Sequence, residues 1–136
     1  MTTFILIGHC GPDSHLLKRA IARAVPGASV VFANDEAALK LHQQSESVLL
    51  VNRALEDGDF DCDSGVELIQ RIRESNPAPV AMLVSNYAEA QEKARSVGAI
   101  QGFGKNDVNS GRTADLLRAA AKAAARPAAH SSGSPD

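Results

Sequence analysis

Short apolar runs alternate with segments of helical periodicity along most of this chain. Five runs have the length of a strand, and they cover residues 4–7, 29–32, 48–51, 80–84 and 100–103. Three of them are nearly continuous Val, Ile and Leu, a pattern typical of strands that are covered on both faces. These runs predict the strands of a buried parallel sheet.

The segments between and after the runs carry apolar residues at helical spacing. They predict helices over residues 16–24, 35–43, 65–72, 87–97 and 113–126. Asp13 or Ser14 is the expected N-cap of the first helix, and Ser64 stands three residues before Glu67, which is the spacing of a capping box. Gly98 is expected to end the fourth helix, because glycine readily adopts the conformation that follows a helix.

Five alternations of strand and helix predict a fold. Successive parallel strands need crossover connections, and right-handed crossovers place helices on both faces of the sheet. We therefore expect an α/β, flavodoxin-like, doubly wound fold with a five-stranded parallel sheet over residues 1–126. Residues 127–136 are polar and follow directly on the last helix, so we expect a disordered C-terminal tail.

Composition narrows the classes of function. The 136 residues suit one domain, and 44% apolar against 22% charged residues is too apolar for a disordered chain. A net charge of -2 gives no electrostatic reason to expect nucleic acid or a membrane as partner. No apolar run approaches the roughly 20 residues of a membrane span, so we expect a cytoplasmic protein with Cys10 and Cys62 reduced.

Two stretches resemble the receiver domains of response regulators. They are SGVELIQRIRESNPAPVAMLVSNY (residues 64–87) and SVGAIQGFGK (residues 96–105), which ends in a lysine seven residues after Gly98. The resemblance covers about residues 3–125 and is chemotaxis-regulator-like. It implies a protein of two-component or phosphorelay signal transduction.

Receiver domains phosphorylate an aspartate at the end of the third strand, with help from four further residues. Two acidic residues after the first strand help to hold Mg²⁺, and a hydroxyl residue and a lysine contact the phosphoryl oxygens. The matching positions in this chain form a degenerate phosphoacceptor site. The acceptor position is Asn52, the acidic pair falls on Gly8, His9 or Cys10, and the hydroxyl residue and the lysine are Ser85 and Lys105.

These departures imply a pseudo-receiver. A neutral amide at Asn52 is a poor nucleophile and cannot supply the carboxylate charge that binds Mg²⁺. We therefore expect a stand-alone signalling protein that works by protein–protein contact, independently of phosphorylation, with no enzymatic activity and no cofactor or metal. Lys105 is expected to bond Asn52 or a nearby carboxylate, and Ser85 to bond nearby backbone.

The switch and interaction face of receivers is formed by the fourth helix, the fifth strand and the fifth helix. The aromatic switch position, three before the lysine, is Gly102 here, and Phe103 is expected in the core. On the last helix Arg118, Lys122 and Arg126 share one face, because they are spaced by four. This face is either simply solvated or a docking surface for an acidic signalling partner or a second copy of the chain.

Other hypotheses remain open. His9 and Cys10 could form a thiol or soft-metal sensor, since imidazole and thiolate suit Zn²⁺ or copper better than Mg²⁺, although no CxxC or HxxxH spacing supports it. Alternatively, the protein is a receiver phosphorylated at a displaced aspartate. Asp57, Asp59, Asp61 and Asp63 alternate in one loop, but neither register fits an EF-hand, so we interpret the loop as a solvated acidic turn.

Overall fold

A five-stranded parallel sheet forms the centre of the protein. The computed structural model describes residues 2–9, 11–35, 37–39, 46–53, 55, 64–74 and 79–125. The strands are β1 (Thr3–Ile7), β2 (Ser29–Ala33), β3 (Ser47–Asn52), β4 (Val80–Val84) and β5 (Ile100–Phe103). They pair in the order β2-β1-β3-β4-β5, all parallel, which confirms the predicted flavodoxin-like sheet.

Helices connect the strands. They are α1 (Gly11–Ala24), α2 (Gly65–Arg73), α3 (Ala88–Ser96) and α4 (Gly111–Ala124), and a 3₁₀ turn covers Lys105–Asp107. Residues 37–39 are also helical. Residues 36 and 40–43 of the predicted 35–43 helix lie outside the described residues. The predicted tail over residues 127–136 lies outside them.

The sheet separates two hydrophobic cores. Phe4 and Leu6 of β1 point into the core shared with α1 and α4, and Ile5 and Ile7 point into the core shared with α2 and α3. All four side chains are at most 2% exposed. Strands that are buried on both faces explain why the apolar runs are continuous instead of alternating.

The cap predicted for α2 agrees with the structure, whereas the cap predicted for α1 does not. Ser64 caps α2, since its hydroxyl accepts a hydrogen bond from the Glu67 backbone N–H, as predicted. The cap predicted at Asp13 or Ser14 is wrong, because α1 already begins at Gly11. Pro12 therefore lies in the first turn, where its fixed φ suits the helix and its missing N–H is no loss.

Candidate functional site

The carboxyl ends of β1 and β3 meet where the resemblance predicts the degenerate phosphoacceptor site. Gly8 follows β1 with φ 78°, a left-handed conformation that favours glycine. The Asn52 side chain, at the end of β3, donates a hydrogen bond from Nδ2 to the Gly8 carbonyl oxygen at 3.1 Å. The amide thus joins the two strand ends through a neutral contact.

His9 is tied to the same pair of strands. Its Nε2 lies 2.9 Å from the Leu50 carbonyl oxygen, and because a carbonyl can only accept, we assign the ring proton to Nε2. Its Nδ1 is buried and has no hydrogen-bond partner among the described residues. Burial lowers the pKa of His9 below its ordinary 6.5 and outweighs the opposing effect of the Leu50 carbonyl, while the charges of Lys105 and Asp13 act in opposite directions, Lys105 lowering the pKa and Asp13 raising it. The imidazole is therefore neutral at pH 7.

Lys105 begins the 3₁₀ turn after β5 and is engaged in an ion pair. Its Nζ lies 2.6 Å from Asp13 Oδ2, with the two side chains 37% and 25% exposed. This agrees with the interpretation that Lys105 bonds a nearby carboxylate. From the sequence, Asp13 was expected only as a helix cap. The topology brings Asp13 and Lys105 together, because α1 begins at the carboxyl edge of the sheet, which is also where β5 ends.

Ser85, directly after β4, is buried and bonds to backbone as expected. Its Oγ accepts a hydrogen bond from the Tyr87 N–H at 3.1 Å, and its own N–H donates to the Phe103 carbonyl at 2.9 Å. Next to it, Asn86 Oδ1 accepts from the Asn106 N–H at 3.1 Å. These contacts hold the segments after β4 and β5 together.

The pairing of β4 with β5 is irregular, and the side chain of Gln91, on α3, forms hydrogen bonds with the backbone of both strands there. Val84 pairs with Phe103 although Met82 pairs with Ile100, so β5 contains one extra residue over this step. The buried Gln91 side chain donates from Nε2 to the Leu83 carbonyl at 2.9 Å, and its Oε1 accepts from the Gly102 N–H at 3.2 Å. The role of Gln91 was not predicted from the sequence, in which it is an ordinary polar residue of a predicted helix.

Gly102 leaves no room for a side chain at the aromatic switch position. A Cβ placed there would lie 2.0 Å from the Leu83 carbonyl oxygen. Phe103, the next residue, is 5% exposed and packs in the core with α1 and α4, as expected. The β5 backbone is thus held directly against β4.

The remaining predicted residues lie away from the strand ends or outside the described chain. On α4, Arg118 forms an exposed ion pair with Asp115 at 2.9 Å, and Lys122 is exposed as well. The hypotheses that involve Cys10, Cys62, Arg126 and the loop from Asp57 to Asp63 concern residues outside the described chain. They stay predictions.

A receiver site holds Mg²⁺ through carboxylate oxygens, and the described residues here do not fit that ion. Asp13 offers a carboxylate, but that carboxylate already binds the Lys105 ammonium group. The His9 Nε2 is engaged by Leu50. No group of three His, Cys, Asp or Glu side chains that could hold a metal ion occurs within the described ranges. No described helix is long and apolar enough to cross a membrane.

Solved receiver domains share this fold. The signal receiver domain of a DNA-binding response regulator from Colwellia psychrerythraea 34H matches with a TM-score of 0.67 and 16% identity, over 90% of this chain and 99% of that one. The non-phosphorylated receiver domain of the stress response regulator RcsB from Escherichia coli matches with a TM-score of 0.63 and 14% identity, over 90% and 92%.

A third structure shows the phosphorylated form of such a protein. It is a response regulator from Burkholderia pseudomallei with a phosphorylated aspartic acid, at a TM-score of 0.59 and 22% identity over 93% of this chain and 70% of that one. No protein-family model and no curated protein sequence matches this chain. At these identities the likeness establishes the receiver-domain fold, and the chemistry has to be argued from the residues at the strand ends.

Proposed function

We propose that this protein is a receiver-like signalling module that acts by protein–protein contact and does not use aspartyl phosphotransfer. The observation that carries the proposal is that Lys105 forms an ion pair with Asp13 and that Asn52, at the acceptor position, donates a hydrogen bond to the Gly8 carbonyl. In this reading the protein is a binding module in the cytoplasm and not an enzyme.

Two physical arguments support the loss of phosphotransfer. The first concerns the nucleophile, because an amide nitrogen whose lone pair is delocalised does not attack phosphorus as a carboxylate does. The second concerns the electrophile, because phosphoryl transfer depends on cationic groups that stabilise charge on the transferred oxygens. At this site the Lys105 charge is already neutralised by Asp13.

The exposed face of α4 is the proposed docking surface. Arg118 and Lys122 lie one turn apart on it, while Leu117 and Ala120 face the core. The proposed partner is a signalling protein with an acidic surface, or a second copy of this chain. Sedimentation of the wild type and of an Arg118→Glu/Lys122→Glu variant distinguishes the two, because only a homodimer on this face changes its mass with the variant.

Intact-mass spectrometry after incubation with acetyl phosphate and Mg²⁺ tests the central proposal. We expect no phosphoryl-sized mass gain, while a receiver domain with an acceptor aspartate gains one under the same conditions. A gain in the wild type that disappears in Lys105→Met would overturn the proposal and favour phosphorylation at a displaced aspartate. The spectrum of the untreated protein also tests the soft-metal hypothesis, which requires a metal adduct.

A further inference from the structure

A cleft opens between β2 and the first turns of α1, and of the described residues that match the phosphorylation site of receivers it shares His9. It has a volume of about 430 Å³, and its lining includes the side chains of His9, Ser14, His15, Lys18, Phe32 and Asn34. Small-molecule sites typically have volumes of about 300–1,000 Å³, so the cleft is large enough for a ligand with one or two rings.

One wall of the cleft is aromatic. Phe32 stands on the edge strand β2 and is 48% exposed, although most large apolar side chains of the described residues are buried. The largely buried Leu6 also contributes to the lining. An aromatic ring that is half-exposed inside a concave surface can stack on the ring of a ligand.

Among the described lining residues the formal charge is positive. Lys18 is exposed and forms no ion pair within the described chain, and no described lining residue is acidic. The carboxylate of Asp35, which follows Asn34, is not part of the lining, and its Oδ1 accepts a hydrogen bond from the Ala38 N–H at 2.7 Å. A cleft whose described lining residues carry a net positive charge attracts anions.

Two other clefts provide a comparison. A cleft of about 400 Å³ between α2 and α3 combines Arg53 and Lys93 with Glu67 and Glu89. Its aromatic residue, Tyr87, is already stacked under the Arg53 guanidinium, 4.9 Å from the ring centroid. Its charges balance, so it has no preference for an anion.

The second comparison is the cavity of about 160 Å³ beside Gly102. It contains both Asp107 and Arg112, and it is smaller than the usual range for ligands. Among these three sites, the cleft between α1 and β2 alone combines ligand size, a half-exposed aromatic ring and unbalanced positive charge.

We propose that this cleft binds a small aromatic molecule that carries a carboxylate or a phosphate group. The ligand ring packs on Phe32, and its anionic group lies at Lys18 and His15. This ligand site goes beyond the proposed signalling function and does not depend on it, because none of its three key residues takes part in the Asn52 and Lys105 contacts.

An NMR titration of the ¹⁵N-labelled full chain tests the proposal, with phenyl phosphate and benzoate as probes. We expect saturable shifts centred on the backbone amides of residues 14–18 and 32–34 with at least one probe, and the tighter one identifies the anionic group. Inorganic phosphate and benzyl alcohol, which each carry one half of the probe, are expected to bind about tenfold more weakly.

Substitutions at exposed positions assign the contacts. Lys18→Gln is expected to weaken binding about tenfold and Phe32→Leu about fivefold, from the loss of a charged contact and of ring stacking. The matched controls Lys122→Gln and Tyr87→Leu remove an exposed lysine and an exposed aromatic residue elsewhere, and are expected to leave the affinity unchanged.

Several results would overturn the proposal. They are the absence of saturable shifts with both probes, shifts centred outside the cleft, benzyl alcohol binding as tightly as phenyl phosphate, or equal weakening by Lys18→Gln and Lys122→Gln. Dispersed spectra of each variant show that it is folded, so a lost affinity can be attributed to the lost contact.

Discussion

At the carboxyl edge of the sheet, the polar residues that follow β1 and β3 make different contacts from those that follow β4 and β5. We call these two regions the β1–β3 end and the β4–β5 end. At the β1–β3 end the matching side chains have changed, and both Asn52 and His9 contact backbone carbonyls. At the β4–β5 end Ser85 and Lys105 match the residue types of receivers. Their contacts are now a backbone N–H for Ser85 and the Asp13 carboxylate for Lys105.

This difference teaches that the identity of a side chain does not determine its role. Lys105 carries the charge that would contact a phosphoryl group, but the carboxylate from α1 neutralises that charge within the fold. Ser85 carries a suitable hydroxyl that instead stabilises the turn into α3. The β4–β5 end is further held by Gln91, whose side chain reaches from α3 to the Leu83 carbonyl and the Gly102 N–H.

The largest expected effect concerns the backbone contact at the β4–β5 end. Gly102→Ala would place a Cβ 2.0 Å from the Leu83 carbonyl oxygen, and the strand must shift to relieve the overlap. We expect a loss of about 3 kcal/mol in the free energy of unfolding, measured in urea. Gly111→Ala is the control, since its Cβ would meet nothing within 4 Å. Equal stability of Gly102→Ala and the wild type would contradict the close packing of β5 on β4.

The next effect concerns the side chain that fills the irregular pairing. Gln91→Ala leaves the Gly102 N–H and the Leu83 carbonyl without their side-chain partner, and buried polar groups in this state destabilise a protein. We expect a loss of about 2 kcal/mol in the free energy of unfolding. Gln70→Ala, at an exposed glutamine of α2, is expected to change it by less than about 0.5 kcal/mol. Similar losses in the free energy of unfolding for the two variants would contradict the stabilising role of Gln91 at the irregular pairing.

At the β1–β3 end the prediction concerns pH. The pKa of folded His9 lies below 6.5, so below pH 6.5 the unfolded chain binds more protons than the folded one, and protons favour unfolding. The contribution of His9 is complete above pH 6.5 and is lost as the pH falls through 6.5 toward the lowered pKa of the folded state. The loss is at most about 1.4 kcal/mol per pH unit.

The comparison of variants isolates this contribution. His9→Gln keeps a donor for the Leu50 carbonyl but does not titrate, so its stability should depend less steeply on pH than that of the wild type. His15→Gln, at an exposed position, should retain the wild-type dependence. The measurement is urea denaturation at several pH values between about 5 and 8. The same dependence of stability on pH for His9→Gln and the wild type would refute the conclusion that folding lowers the pKa of His9.

The smallest expected effect is the coupling between Lys105 and Asp13. Both side chains are partly exposed, so water screens the pair and we expect a coupling energy of about 0.5–1 kcal/mol. A double-mutant cycle with Lys105→Met and Asp13→Asn measures it in urea denaturation. The Arg118–Asp115 pair on α4 is the exposed control. A coupling of zero for Lys105 and Asp13 would contradict the view that Asp13 neutralises the charge of Lys105.

Local patterns along the chain were enough to predict the sheet and the strand ends. Continuous apolar runs identify buried strands because both faces of this sheet are covered. The resemblance to receiver domains assigned Asn52, Ser85 and Lys105 to a common site, which agrees with parallel strands ending at one edge of the sheet. The Ser64 cap was also predictable, because a capping hydrogen bond spans only three residues.

Contacts between distant segments were decided by the tertiary structure alone. The partner of Lys105 lies 92 residues earlier in the chain, and the sequence pattern placed Asp13 at a helix cap instead. Gln91 has no unusual sequence pattern and Gly102 was marked only as a departure from the aromatic switch position, whereas the contacts of both follow from the extra residue in β5. The cleft at Phe32 and Lys18 exists because β2 is an edge strand beside α1. Periodicity reports which residues are buried, whereas the partner of a polar group depends on which elements the fold brings together.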